Sequence, residues 1–384
     1  MIPLVRDTIS KQDIDKLIEW LKTYPHLTKG DLTIEYEKKW AEWLGAKHAV
    51  FVNSGSSANL LMLYSLVASG KIKLGDKVVV PTVSWSTDLA PVVQLGLEPI
   101  LCDCNMSDLS IDIDHFERII KEHKPKVLML VSVLGLVPQM DEIVNICSSN
   151  DVILLEDACE SLGSKYKDKK IGTFGLMSSF STYFGHHIST IEGGMVCTDD
   201  TDIYNILKSI RSHGWDRDLD QAYMDSLRSQ YKVSDFEALY KFYYFGFNVR
   251  ATDLQAFLGL GQLEKLDRIV ETRQQNYLRY TKNIEGPYWK APENTSDQYI
   301  SNFAYPIIHP NREKIVERLR EEKVAVRPLI CGSLEKQPFW NNGGQISLVN
   351  GDIVDKYGLY LPNSHQLEDR EIDKICSIIN EATQ

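Results

Sequence analysis

The sequence has no apolar run of the length that a membrane-spanning helix needs. Its longest apolar stretch, Val127–Val137, is interrupted by Ser132 and Gly135 and is far shorter than the ~20 residues that would cross a bilayer. The first residues also include Arg6 and Asp7, where a signal peptide would have its apolar core. We therefore expect a cytoplasmic protein that does not enter a membrane.

Basic residues are too few and too dispersed for a nucleic-acid-binding surface. The 384 residues include 42 Lys and Arg against 53 Asp and Glu, which gives a formal net charge of −11. Proteins that bind nucleic acids neutralise phosphates with clustered basic side chains. We expect no nucleic-acid partner, so an anionic ligand would have to be held locally by helix N-termini and a few arginines.

The cysteines indicate neither a disulfide framework nor a metal site. There are seven, an odd number, scattered from Cys102 to Cys376. Cys102 and Cys104 are too close together for a zinc knuckle, and no second pair completes a set of four ligands. We expect no structural or catalytic metal.

Short β-branched runs alternate with helical stretches between residues 49 and 198. This alternation, with strands that are apolar almost throughout, predicts an α/β fold with a mostly parallel, seven-stranded sheet covered on both faces. Ligands of such sheets lie at the carboxyl ends of the strands. The predicted strands are Ala49–Val52, Lys77–Val80, Pro99–Asp103, Lys126–Val131, Val152–Glu156, Ser178–Tyr183 and Met195–Thr198.

Beyond residue 200 the strand signal fades. Residues 216–233 are polar and predict a loop, residues 252–280 predict one long helix, and strands at 301–309 and 323–327 predict a smaller α+β unit. We therefore predict three segments, which are an N-terminal helix packing on the small domain (1–29), a large domain (30–250), and a connecting helix with the small C-terminal domain (251–384).

A serine-rich turn follows the first predicted strand and opens a helix. It contains Gly55, Ser56 and Ser57 within Asn53–Asn59. Free N–H groups at a helix N-terminus, with a glycine that permits close approach, suit a phosphate. Simple capping of the helix by serine and asparagine is the alternative. The sequence has no Gly-x-Gly-x-x-Gly and no Walker lysine, so the dinucleotide and nucleoside-triphosphate motifs are absent.

Two further segments carry candidate chemistry. Asp157 and Glu160 follow a buried strand, where a carboxylate could hold a cationic ring nitrogen or a metal, or only start a turn. His186 and His187 are adjacent, and successive strand residues point to opposite faces. One histidine acting as an acid/base beside a packed one is therefore a simpler interpretation than a zinc site.

Together these segments resemble the vitamin-B6-dependent sugar aminotransferase/dehydratase family, which acts on nucleotide-linked 4-keto sugars and has the aspartate-aminotransferase fold (fold type I). The resemblance runs from about residue 30 to the end of the chain. Its landmarks, in order along the sequence, are Gly55-Ser56-Ser57, Pro81–Trp85, Glu156-Asp157 with Glu160, Ser181, Glu192-Gly193-Gly194 and Gly246–Arg250.

The resemblance implies a role for each landmark in binding pyridoxal or pyridoxamine 5'-phosphate. Trp85 would stack on the pyridine ring, Asp157 would pair with its protonated nitrogen, and Glu160 would contact the ring hydroxyl. Asn248 would reach the phosphate of the neighbouring subunit, which implies a homodimer with shared active sites. The residues implied to hold the phosphate within the chain are Gly55, Ser56, Ser57 and Ser181.

One departure from the family pattern determines the expected reaction. The family's aminotransferases have a lysine six residues before Glu-Gly-Gly, whereas this chain has His186, and no lysine occurs between Lys170 and Lys208. The cofactor then cannot be stored covalently bound to the chain. The 3-dehydratase branch of the family also has histidine here, and the spacing to Glu192 favours His186 over His187 as the acid/base.

The resemblance also bears on partners and substrate contacts. A related enzyme that needs an iron–sulfur cluster carries clustered cysteines in the loop after the histidine, and the loop 211–218 has none, so no cluster is expected. His213, Arg250 and Arg327 are candidates for substrate contacts, since an arginine fork suits carboxylates and diphosphates. Ordinary ion pairing or surface solvation is the alternative for all three.

The sequence therefore predicts a 3-dehydratase of a nucleotide-linked 4-keto-6-deoxyhexose, expected to be GDP-4-keto-6-deoxymannose. His186 would act as acid and base, glutamate would restore the pyridoxamine form, and ammonia would be released. The rival enzyme is a nucleotide-sugar 4-aminotransferase that uses a distant lysine. The rival without catalysis is a cofactor-binding partner subunit.

Overall fold

The structure is a computed structural model that describes residues 1–293, 295–340 and 347–384. Its strands are β1 (His48–Val52), β2 (Lys77–Pro81), β3 (Glu98–Cys102), β4 (Val127–Val131), β5 (Ile153–Asp157), β6 (Lys165–Tyr166), β7 (Lys169–Lys170), β8 (Met177–Ser181), β9 (Gly194–Thr198), β10 (Gln298–Tyr299), β11 (Tyr305–Ile308), β12 (Arg327–Pro328) and β13 (Gly358–Leu361).

Helices separate most of these strands. They are α1 (Lys11–Leu21), α2 (Asp31–Leu44), α3 (Gly55–Ala68), α4 (Ser86–Gln94), α5 (Ile113–His123), α6 (Met140–Ser149), α7 (Thr201–Ile210), α8 (Gln221–Tyr231), α9 (Asp235–Ala238), α10 (Asp253–Leu263), α11 (Leu266–Asn283), α12 (Arg312–Glu321), α13 (Val349–Tyr357) and α14 (Asp369–Thr383).

The central sheet has seven strands in the order β1-β9-β8-β5-β4-β2-β3. Pairing is parallel from β8 through β5, β4 and β2 to β3, and β9 is antiparallel to both of its neighbours. The predicted mostly parallel, seven-stranded sheet is therefore confirmed. Strands β8 and β5 lie side by side near the middle of the sheet, so their carboxyl ends meet at one edge.

Both faces of the sheet are covered, because alternate strand residues supply two separate cores. Val50 and Val78 contribute to the core on one face, while Phe51 and Val79 contribute to the core on the other. This alternation follows from the two-residue period of an extended strand. Strands apolar at nearly every position are the expected consequence of burial on both faces.

A second sheet of three strands, in the order β11-β13-β12, lies in the C-terminal part of the chain. The N-terminus joins this part: Ile2 forms a parallel bridge with Val324, and Arg6 forms an ion pair with Glu371 at 2.6 Å. Helix α1 packs on α10, where Trp20 stacks on Phe257 with ring centroids 4.8 Å apart. The division at residues 29 and 250 stays a prediction.

Three local predictions differ from the structure. Residues 216–233 were expected to form a loop, yet α8 forms there with only Leu227 buried, so its apolar signal is weak. The long helix expected over 252–280 is two helices, α10 and α11. The strand expected at 323–327 is reduced to the two residues of β12. In the described residues, no helix combines the length and the apolar character that spanning a membrane requires.

Candidate active site

The candidate site lies at the edge of the central sheet where β1, β5 and β8 end. Ser181, the last residue of β8, is paired with Gly194, and Gly194 is also paired with Val52 at the end of β1. Helix α3 begins three residues after Val52. Asp157 ends the neighbouring strand β5. The sheet register alone therefore brings the three predicted segments together.

The start of α3 and the end of β8 form a tight corner. A Cβ atom added to Gly55 would lie 2.8 Å from Cβ of Ser181 and 3.1 Å from Sγ of Cys159. Ser56 is exposed beside this corner, and its hydroxyl lies 3.3 Å from that of Thr87. The corner combines free amides at a helix start with two serine hydroxyls, which is the donor set that a phosphate requires.

The helix-cap alternative accounts for Ser57. The Ser57 amide donates to the hydroxyl of Ser54 at 3.1 Å, and the Ser57 hydroxyl donates to the side-chain oxygen of Asn53 at 2.7 Å. Ser54 is thus the N-cap of α3. Ser56 is left outside the cap, so its hydroxyl is the one at the helix start that stays a candidate for a phosphate.

Replacement of Gly55 by alanine should weaken binding of pyridoxamine 5'-phosphate by about tenfold or more, since overpacking a buried site costs ~1–3 kcal/mol. Fluorescence titration of the cofactor-free protein measures this. Gly261→Ala is the matched control, because its added Cβ would lie 3.7 Å from the nearest atom, a side-chain oxygen of Asp13. Equal affinities for the two variants would show that the corner does not hold the phosphate.

Asp157 is held in a fixed orientation at the end of β5. It is 6% exposed, its Oδ1 accepts from the amide of Cys159 at 2.9 Å, and its Oδ2 accepts from Nδ2 of Asn59 at 2.6 Å. Asn59 is itself anchored by the hydroxyl of Ser179, 2.5 Å from its Oδ1. A buried carboxylate held in this way is suited to pair with one cationic group.

Trp85 and Glu160 lie on the loops around this carboxylate. Trp85 immediately precedes α4 and is 54% exposed, so its ring is free to cover a ligand. Oε2 of Glu160 accepts from the amide of Leu134 at 2.7 Å. Burial raises the pKa of Glu160 to about 8. A carboxyl that is largely protonated at neutral pH can donate a hydrogen bond to a ring oxygen.

The two adjacent histidines have different environments. His187 is fully buried, and its Nε2 contacts the carbonyl of Ser301 at 3.0 Å and the hydroxyl of Ser301 at 3.1 Å. His186 is partly exposed. Among the described residues, no group forms a hydrogen bond with Nδ1 of His186 or with Nδ1 of His187. The difference between them is that the ring of His187 is held inside the protein by Ser301, whereas His186 is partly exposed at the edge of the site.

A buried arginine supports the loop that carries both histidines. Arg273 is 1% exposed and donates to the carbonyls of Phe303 at 2.8 Å, Asn363 at 2.7 Å and His186 at 3.2 Å. The pKa of His186 is lowered to about 4, mainly by burial; the negative charge of Asp157 opposes this shift, and the positive charge of Arg273 adds to it. His186 is therefore a neutral imidazole at neutral pH.

This shift can be measured directly. Between pH 8 and pH 6 the ring of His186 should stay neutral, because a proton is bound only as the pH falls towards about 4. Nitrogen-15 NMR of the histidine rings in the cofactor-free protein measures this titration, and the signal missing in His186→Asn identifies the residue. A His186 signal that titrates near the usual 6.5 would contradict the expectation.

The remaining predicted residues lie around this centre. Asn248 is exposed and bridges to Ser212, and its Oδ1 accepts from Nε of Arg250 at 3.0 Å. Arg250 bridges to Val52 at the end of β1, so this segment borders the phosphate corner. His213 is held through its amide, which donates to the carbonyl of Phe247 at 2.6 Å.

Arg327 lies apart from these residues, on β12 of the small sheet. Its Nη1 donates to the carbonyl of Val326 at 3.0 Å, and the residue is exposed. Tyr360 lies between Arg327 and the site, since the charges of both Arg327 and Glu160 act on its hydroxyl. Burial raises the pKa of this hydroxyl to about 12. A role for Arg327 would therefore concern the outer part of a bound substrate.

The sequence predicted no individual role for three polar residues at the site, namely Asn59, Asp88 and Arg273. Asn59 and Arg273 lie inside helices, where polar residues normally face water. Asp88 follows Trp85 by three residues, a helix-start spacing that indicates only a cap. In the described part of the chain, no three His, Cys, Asp or Glu side chains are grouped as a metal site would require.

The residues present fit the expected cofactor. A corner for phosphate, a fixed carboxylate, an exposed indole and a neutral imidazole lie around one edge of the sheet. Pyridoxal phosphate carries a phosphate, a basic ring nitrogen, an aromatic face and a reactive carbonyl, so each part of it has a matching group here.

Comparison with known proteins gives the same family. The sequence pattern of the DegT/DnrJ/EryC1/StrS aminotransferase family matches residues 7–380. The chain is 35% identical, over 376 residues, to GDP-4-keto-6-deoxy-D-mannose 3-dehydratase of Yersinia pseudotuberculosis, an alignment covering 95% of this chain and 94% of the relative.

Two solved structures are similar over almost the whole chain. One is GDP-4-keto-6-deoxymannose-3-dehydratase with a trapped PLP–glutamate geminal diamine, at 33% identity and a TM-score of 0.90, covering 99% of this chain and 100% of that one. The other is the E. coli enzyme with bound hydrated PLP, also at 33% identity and a TM-score of 0.90, covering 99% of each chain. The predicted fold and family are thus confirmed, and the chain belongs to the DegT/DnrJ/EryC1/StrS aminotransferase family.

Proposed function

We propose that the protein is a pyridoxamine-phosphate-dependent 3-dehydratase of a nucleotide-linked 4-keto-6-deoxyhexose, with GDP-4-keto-6-deoxymannose as the substrate. One observation carries the proposal: an imidazole, that of His186, stands where the family's aminotransferases have lysine. The relatives described above, which share about a third of this sequence, are named as dehydratases of this substrate.

The bound cofactor supplies an amine that condenses with the sugar ketone and a ring that accepts electrons. Removal of the neighbouring hydroxyl then needs a base to take one proton and an acid to deliver a proton to the leaving oxygen. His186 meets both requirements, because its neutral ring accepts a proton and the resulting imidazolium is a strong acid in this buried environment.

The other side chains have supporting roles in the proposal. Asp157 keeps the ring nitrogen protonated, Trp85 covers the ring face, and Glu160 donates to the ring oxygen. The corner formed by Gly55, Ser56 and Ser181 holds the phosphate. The sugar nucleotide and the glutamate carboxylates would be met by His213, Arg250 and Arg327.

Glutamate restores the amine in this scheme. The product of dehydration is an unsaturated amine, and since no lysine can trap the aldehyde, this amine leaves and hydrolyses to ketone and ammonia. Each turnover therefore consumes one amino group from glutamate. The structure with bound PLP and glutamate belongs to a relative and supports this part of the proposal.

Ammonia release tests the proposal. The protein, with pyridoxal phosphate, glutamate and GDP-4-keto-6-deoxymannose, should release ammonia and 2-oxoglutarate together with the 3-deoxy sugar. A 4-amino sugar formed without ammonia would identify an aminotransferase. Cofactor binding with neither product would identify a partner subunit without catalysis.

We also propose a homodimer in which Asn248 of one subunit reaches the phosphate in the other. Asn248 is exposed and follows a surface segment rich in apolar side chains, in which Phe236 is 84% and Phe245 93% exposed. Large apolar side chains left exposed along one segment favour an interaction site there. The cytoplasmic location expected from the sequence stays a prediction.

Mixing two inactive variants tests the shared site. Asn248→Leu and His186→Asn should each be inactive alone, and mixed dimers should regain part of the activity, because one of their two sites has both native residues. Size-exclusion chromatography confirms that subunits exchange. Exchange without recovery of activity would place Asn248 in the site of its own subunit.

A further inference from the structure

A second carboxyl group lies directly behind Asp157. Asp88, in the first turn of α4, is fully buried. Nδ2 of Asn59 joins the two carboxyls, since it lies 2.9 Å from Oδ1 of Asp88 and 2.6 Å from Oδ2 of Asp157. The other oxygen of Asp88 accepts from the backbone amide of Trp85 at 2.9 Å. Asp88 therefore touches the residues on either side of the proposed cofactor ring.

The surroundings of this pair supply too little positive charge for two carboxylates. Within the described residues, the hydrogen-bond partners of Asp88 are the uncharged Asn59 amide and the Trp85 backbone amide, and no Lys, Arg or His forms an ion pair with it. Two like charges that share one amide donor in a buried site cannot both be ionised. One of the carboxyls must therefore keep a proton, and the arrangement is a carboxylic acid hydrogen-bonded to a carboxylate.

The proton belongs on Asp88. Burial and then the negative charge of Asp157 raise the pKa of Asp88 well above its usual value, and the hydrogen bond from the Trp85 amide opposes them. Each carboxyl accepts from one backbone amide, Asp88 from Trp85 and Asp157 from Cys159, so burial and the facing charge decide which one keeps the proton. A cationic ring at Asp157 would strengthen this assignment, because it stabilises the carboxylate nearest to it.

We propose that Asp88 is a positioning residue for the cofactor, a neutral acid that donates a hydrogen bond to the Asp157 carboxylate while it accepts one from the Trp85 amide. The proposal rests on the proposed function, because it assumes that Trp85 and Asp157 bind the pyridine ring. It goes beyond that function in assigning a third carboxyl to the site and in fixing its protonation state.

This arrangement has two consequences for the ring. Asp88 bonds both to the carboxylate of Asp157 and to the amide of Trp85, so it fixes these two residues relative to each other. The contact of Asp157 with the ring nitrogen and the stacking of the Trp85 indole on the ring are therefore positioned by the same residue. The negative charge of Asp157, held facing the ring nitrogen, then favours the protonated form of the ring.

Two variants of similar size distinguish a neutral Asp88 side chain from an ionised one. In Asp88→Asn the amide can donate to Asp157 and its oxygen can accept from the Trp85 amide. Asn59 would then turn its second N–H to the carbonyl of Thr87, which is 3.3 Å away. In Asp88→Leu both interactions are lost. The Asn variant should bind pyridoxamine phosphate nearly as well as the native protein, whereas the Leu variant should bind it about 10- to 100-fold more weakly.

The protonation of the cofactor ring nitrogen is a second measurement, which a change in folding alone would not alter. With nitrogen-15-labelled cofactor, the ring nitrogen should stay protonated to the same high pH in the native protein and in Asp88→Asn, and should lose its proton at lower pH in Asp88→Leu. If the Asn variant, folded by circular dichroism, behaves like the Leu variant, Asp88 acts as an ionised group and the proposal is wrong.

Infrared spectroscopy of the cofactor-free protein tests the protonation state independently. The native-minus-Asp88→Asn difference spectrum should contain a carboxylic acid C=O band at neutral pH, and a carboxylate band in its place would overturn the proposal. These outcomes are distinct from a failure of the proposed function, which would appear as native protein that binds no pyridoxamine phosphate.

Discussion

Replacement of His186 by asparagine should lower the rate of dehydration by ~10²–10⁴-fold, the usual contribution of a positioned acid/base. The asparagine keeps a polar group of similar size but cannot exchange a proton, so cofactor binding should change little. The ammonia assay measures the rate, and fluorescence titration measures the affinity for pyridoxamine phosphate.

His187→Asn is the matched control for this experiment. Its ring contacts Ser301 inside the protein, so the variant should lose stability more than activity. Urea unfolding of both variants separates the two effects. If His187→Asn remains folded and is the more damaging change to the rate, the catalytic assignment is wrong by one residue.

Replacement of Asp157 by asparagine should lower turnover by ~10²–10⁴-fold, since breaking a buried charge pair costs ~3–5 kcal/mol and each 1.36 kcal/mol is a factor of ten. Without the carboxylate, the ring nitrogen should lose its proton and the ring should become a poorer electron acceptor. Steady-state kinetics and the absorption spectrum of the bound cofactor measure the two effects.

Glu156→Gln provides the control, because Glu156 is the neighbouring residue on β5 and points to the opposite face. Its carboxylate accepts from the amides of Gly172, Phe174 and Gly175, which is a structural role. This variant should be less stable and keep the native cofactor spectrum. A native spectrum and native turnover in Asp157→Asn would exclude Asp157 as the partner of the ring nitrogen.

The central sheet was predictable because its strands are short and apolar on both faces. All seven predicted strands occur, and the bounds of each differ from the prediction by one or two residues. The two-residue strands β6 and β7 had no such signal, since a pair of residues has no period. Helix α8 was missed for a related reason: with Leu227 alone buried, it has no apolar stripe to detect.

In the candidate site, only residues that belong to a short sequence motif could be predicted. Gly55 and His186 lie within recognisable motifs, so the family resemblance singles them out. Asn59, Asp88 and Arg273 act through contacts with residues far away in the sequence; Asn59 meets Asp157, for example, across 98 positions. Such contacts depend on the sheet register, which no local pattern specifies.

The most direct test of the proposed function is whether the resting cofactor is bonded to the chain. The native protein is incubated with pyridoxal phosphate, reduced with borohydride and digested with trypsin, and the peptides are analysed by mass spectrometry. His186→Lys, in which the aldehyde should become linked to residue 186 and dehydration should collapse, is the positive control. We expect a pyridoxyl peptide from the control and none from the native protein, and a pyridoxyl group on any lysine of the native protein would contradict the account.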